Sequence, residues 1–127
     1  MSGDRDQLQP KPKLRHLEVV DEDGVEQAIA SGDARRIHYA LIDGSRCLDD
    51  AFICPLAVQL LVHEDVGVRW AAAFAINQCR LYFIQLLRAD GEPLHTLAAM
   101  ARDDPDAEVR GMAAEAMKSV VFALLRP

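Results

Sequence analysis

Sliding the chain along itself by 41 residues lays "DVGVRWAAAFAI" (65–76) over "DAEVRGMAAEAM" (106–117) without a gap. Asp65 meets Asp106, Val68 meets Val109, and Arg69 meets Arg110. Ala72 and Ala73 meet Ala113 and Ala114, and Ile76 meets Met117. Upstream, Leu56 and Ala57 meet Leu97 and Ala98. No other feature constrains the fold as strongly. A unit this short cannot bury its own apolar face, so such units must stack on one another.

Each repeated residue has a physical reason. The Asp accepts free backbone N–H groups at the start of a helix. The Val begins that helix's buried stripe, and the Ile or Met completes it. The paired alanines let a neighbouring helix approach closely. The Arg, four residues after the cap, is expected to reach an Asp of an adjacent unit. Asp65, Arg69, Asp106 and Arg110 would then form a ladder along the turns, giving each partly buried guanidinium a carboxylate.

The remaining helices follow from periodicity and punctuation. "DEDGVEQAIASGD" reads as a first helix with Asp23 as cap, Glu26 in the capping-box position and Gly32 as terminator. "DARRIHYALIDG" reads as a second, capped by Asp33 and weakened or ended by Gly44. "PLAVQLLVHED" is a third, with Pro55 near its first turn, and its near-continuous apolar character places it centrally. Asp65 caps a fourth, "VGVRWAAAFAINQ". "RLYFIQLLR" is a fifth helix or a bent continuation, "PLHTLAAMARD" a sixth, and the segment capped by Asp106 a seventh.

The 41-residue pattern resembles the HEAT repeat, a helical hairpin that stacks into an α-solenoid. One copy spans about 55–77 and a second about 93–118. The upstream pair, with His38 and Tyr39 where alanines would lie, resembles a degenerate N-terminal cap. The resemblance implies an all-α fold: a short right-handed α-α superhelix of about three HEAT-like pairs. Residues 1–12, polar with two prolines, are expected as a disordered tail, and 13–127 as a single HEAT-like domain. The chain is similar to small bacterial HEAT-like proteins of unassigned function, some of which are immunity proteins encoded beside toxins. Arg outnumbers Lys, and Ala and Asp are abundant, the usage expected of a GC-rich bacterial genome.

Composition narrows the function classes. The formal net charge is −6, with the acidic balance carried beyond the first twenty residues. An acidic body repels phosphate backbones and suits a basic protein partner. Arg35, Arg36, Arg69, Arg80 and Arg110 could line a local basic strip, but the ladder claims two of them, so nucleic-acid binding is disfavoured. Cys47, Cys54 and Cys79 form neither a CxxC nor a zinc spacing. His16, His38, His63 and His95 are scattered, and the single His63-Glu64 dipeptide supplies too few ligands for a di-iron centre. Asp103, Asp104, Asp106 and Glu108 fit helix capping better than cation binding. No nucleophile elbow or phosphate loop is present. No enzyme activity, cofactor or metal is expected, and no apolar run reaches membrane-spanning length. A cytoplasmic location is the expectation.

One pair of residues departs from the repeat. The outward positions that hold Gly111 and Glu115 in the second copy hold Trp70 and Phe74 in the first. Either 80–88 folds over these rings, or they form an aromatic anchor for a partner. Trp70, Phe74, Gly111 and Glu115 are therefore the candidate partner-binding residues. The expected function is non-enzymatic protein binding, in its sharpest form immunity against a toxin with a basic surface. A scaffold subunit of a larger complex is the alternative, with nucleic-acid binding third. Homodimerisation through poorly capped ends remains open.

Overall fold

The structure is a computed structural model that describes residues 20–126. The polar tail 1–12, most of "LRHLEVV" and His16 lie outside the described residues. Seven helices follow: α1 Glu22–Ser31, α2 Ala34–Cys47, α3 Asp50–Leu60, α4 Val66–Gln78, α5 Arg80–Leu87, α6 Glu92–Asp103 and α7 Ala107–Leu125. The described residues contain no strand. None of these helices is long and apolar enough to cross a membrane.

Four helices start on an aspartate whose side chain accepts backbone N–H groups. Asp33 accepts from Arg35 and Arg36, Asp65 from Val68, and Asp106 from Val109. The first helix is capped by Asp21, which accepts from Gly24, and not by Asp23. The chain is extended at Asp21, and that conformation suits a cap. Gly32 ends α1 in the left-handed region (φ 72°), as a C-terminal glycine should.

Two boundaries differ from the sequence expectation, and in both the surroundings of the helix override its local propensity. Helix α2 runs through Gly44 to Cys47. A Cβ on Gly44 would lie 2.8 Å from Ile53 Cδ1, so this glycine is where α2 and α3 meet at close range. Helix α3 starts at Asp50, five residues before Pro55, and the proline sits inside it. Pro55 cannot bond the Ala51 carbonyl, but Ala51 is exposed and water can serve that group.

The helices associate in order. Helix α1 lies on α2, α3 on α4, and α6 on α7, while α2 packs on α4 and α4 on α7. The central element is α4, not α3: Val68, Ala71, Ala72, Ala73, Ala75 and Ile76 are all fully buried. In α3, by contrast, Leu56, Val58 and Leu60 are only half-buried. Four alanines on α4 allow neighbours on several sides, near the short end of helix spacing, about 8 Å. Helix α5 wedges against α3 and α7 and drives Phe83 into the core with no exposed surface. Burying such a ring contributes about 2–3 kcal/mol.

Candidate functional site

Trp70 and Phe74, one turn apart on α4, stack with centroids 5.5 Å apart and planes 12° from parallel. His38 of α2 stacks on Trp70 at 6.1 Å, and the guanidinium of Arg46, also from α2, sits 5.3 Å over the Phe74 ring. Tyr39 meets His38 edge-on at 5.1 Å. The ring and guanidinium contacts to the pair thus come from the preceding helix α2. Both aromatics are half-buried, and Trp70 packs on the core. The pair is neither sealed by 80–88 nor fully open.

The contact is anchored by a hydrogen bond. His38 Nδ1 lies 2.7 Å from the Gly67 carbonyl, and a carbonyl only accepts, so Nδ1 carries the proton. A Cβ on Gly67 would meet His38 Nδ1 at an ordinary 3.6 Å, and its tighter contact would be with the cap carboxylate of Asp65 at 3.2 Å. His38 and Arg46 escaped the sequence reading because their roles arise between helices. The periodicity of α2 marks its buried stripe, Ile37 and Leu41, and not its edges.

The corresponding positions on α7 are different in kind. Gly111 and Glu115 are exposed, nothing lies within 4 Å of a Cβ on Gly111, and Glu115 makes only a loose 3.9 Å pair with Lys118. The α2–α4 seam therefore carries aromatic and cationic groups, while the outward side of α7 carries a notch and a carboxylate.

The turns before α4 and α7 share one geometry. Arg69 Nη1 donates to the carbonyls of His63 and Glu64 (3.1 and 2.9 Å). Arg110 Nη1 donates to those of Asp104 and Pro105 (2.7 and 3.3 Å). Two residues before three of the caps an acceptor takes the cap's own N–H: Ser31 from Asp33, His63 from Asp65, and Asp104 from Asp106. The contact between units forms as well, but with a different carboxylate from the one expected. Arg69 grips Asp104 through Nε and Nη2 (2.8 and 3.2 Å), whereas Asp65 and Asp106 serve as helix caps. Burial pushes the Asp104 carboxyl up. The hydrogen bonds from Arg69 and the Asp106 N–H, with the charges of Arg69 and Arg110, more than offset this and hold it below the ordinary carboxylate value.

The remaining candidates sit in structural surroundings. His63 Nδ1 is occupied by the Asp65 N–H. A hydrogen bond to Cys54, burial and the nearby Asp50 push the Cys79 thiol up, so it stays protonated. Asp103 pairs with Arg102 on the surface. The arginines do not form one strip: Arg35 and Arg36 line a cleft between α1 and α2, Arg69 and Arg110 are tied into turns, and Arg80 bonds the Asn77 carbonyl. No family model, curated protein or solved structure matches this chain.

Proposed function

We propose that this chain is a non-enzymatic protein-binding module of HEAT-like type, built as about three stacked helical pairs, and that the α2–α4 seam is its partner site. The observation that carries the reading is the half-exposed Trp70–Phe74 stack held between His38 and Arg46. Rings pre-stacked by their own scaffold lose little freedom on binding, and a half-buried aromatic keeps apolar surface to give to a partner. The shared turn geometry around Arg69 and Arg110 supports the repeat reading. The net charge of −6 favours a partner with a basic surface, and immunity against a toxin of that kind is the specific form of the proposal.

The test is affinity capture with wild type, Phe74→Ala and Arg46→Ala, each checked for helix content by circular dichroism. Phe74 is the better probe than Trp70, because Trp70 also packs on the core. A partner lost by Phe74→Ala at unchanged helicity supports the site. A partner retained by both variants removes the seam from consideration.

A further inference from the structure

We propose that the outer face of α6 and α7 is a socket for a helical hairpin of a partner protein that presents a carboxylate in its inter-helix turn. This surface is separate from the α2–α4 seam and does not depend on that reading.

The argument comes from comparing the two copies of the repeat within the molecule. In the first copy Ala57, Ala73 and Ile76 are fully buried. The residues 41 positions later are Ala98, Ala114 and Met117. There Ala98 and Met117 are half-buried and Ala114 is exposed. All three line a shallow apolar groove between α6 and α7, which Val121 and Leu125 continue. Phe122 at its rim is 64 % exposed and Leu125 is 78 % exposed. The same positions are thus covered in one copy and open in the other.

The charged group of the repeat makes the same point. Arg69 spends Nη1 on two turn carbonyls and uses Nε and Nη2 to grip Asp104 of the next unit. Arg110 spends Nη1 in the same way, and among the described residues its Nε and Nη2 have no acceptor. A guanidinium fork with one nitrogen fixed is pre-oriented for a carboxylate. Lys118 adds a second cation to the groove wall. A second copy joined across a two-fold axis at this face would bring like cations together, and Glu115 already lies in a loose 3.9 Å pair with Lys118. The occupant that fits is therefore acidic at its turn and apolar along its helices, as α6 and α7 are toward α4.

The probe is a synthetic peptide of residues 92–126, the hairpin that already delivers Asp104 to Arg69. It is added to the isotope-labelled full chain and followed by amide and Arg Nε chemical shifts. A second form tethers it to the chain's C-terminus by a Gly/Ser linker, which raises its effective concentration to about 1 mM. Expected are shifts at Ala98, Ala114, Leu125 and Arg110 Nε. Arg110→Gln in the chain or Asp104→Asn in the peptide should each weaken binding about tenfold, and the two together little more than either alone. Absence of these shifts in the tethered form overturns the proposal, as does binding insensitive to both substitutions. So does a parent chain that sediments as a dimer and is made monomeric by Leu125→Glu, since the occupant would then be a second copy.

Discussion

Breaking the Arg69–Asp104 pair tests whether the repeats are joined by that contact or merely lie side by side. The Arg69 side chain is 16 % exposed and that of Asp104 is 5 % exposed. Arg69→Ala removes two charge-assisted bonds to the carboxylate and two bonds to turn carbonyls, and leaves Asp104 with the Asp106 N–H as its hydrogen-bond donor and Arg110 as a nearby charge. Removing one partner of a buried pair costs about 3–5 kcal/mol. Residual exposure of the guanidinium lowers this to about 2–4 kcal/mol. Asp104→Asn keeps an oxygen for the Asp106 N–H but discards the charge, and should cost about 1.5–3 kcal/mol. Arg110→Ala loses the carbonyl contacts and a nearby charge that favours the Asp104 carboxylate, and should cost about 1 kcal/mol. Urea unfolding followed by circular dichroism measures all three, and the double variant closes a cycle. A coupling of about 1.5–3 kcal/mol is expected. Additivity of Arg69→Ala and Asp104→Asn to within about 0.5 kcal/mol, or equal costs for Arg69→Ala and Arg110→Ala, would refute the reasoning.

Three further outcomes follow from the geometry. Because the folded carboxyl of Asp104 titrates below its unfolded value, its stabilisation is complete above about pH 4 and is lost as pH falls through the folded value; acid titrations of stability should show this slope in wild type and a shallower one in Asp104→Asn. Gly44→Ala gains about 1 kcal/mol of helix propensity, but its Cβ meets the buried Ile53 Cδ1 at 2.8 Å, so net destabilisation of up to about 2 kcal/mol is expected in the same urea assay. Adding Ile53→Val, which deletes that methyl, should recover part of the loss, and a neutral Gly44→Ala would mean that Ile53 Cδ1 swings aside at little cost. Native-state thiol titration should find Cys47 reactive at once and Cys54 and Cys79 only on unfolding, since the first is exposed and the other two are buried; rapid labelling of all three would mean that the α3–α4 interface opens readily.

Much of the local structure could be read from the chain because capping and periodicity act within a few residues. Asp33, Asp65 and Asp106 cap as expected, and α4 and α7 keep their expected starts. The misreadings share a cause. Gly44 looked like a residue that weakens or ends its helix and Pro55 like a first-turn residue, since isolated helices obey those preferences, but the tertiary context outweighs about 1 kcal/mol of propensity at the glycine and about 3 kcal/mol at the proline. The expected ladder pointed at Asp106, which is already committed to its own helix; the carboxylate that faces Arg69 sits two residues earlier.

The sequence by itself determined the helical class, the 41-residue internal repeat and the oddness of Trp70 and Phe74 at positions where the second copy has Gly111 and Glu115. These are properties of spacing along one chain. Only the tertiary structure decided which carboxylate Arg69 holds, that α2 brings His38 and Arg46 to the aromatic pair, and that among the described residues Arg110 keeps two nitrogens without an acceptor. Each of these depends on how far one helix stands from another. That distance is set by the volumes of many side chains packed together, among them the alanines of α4 and Gly44 of α2, and no local pattern records it.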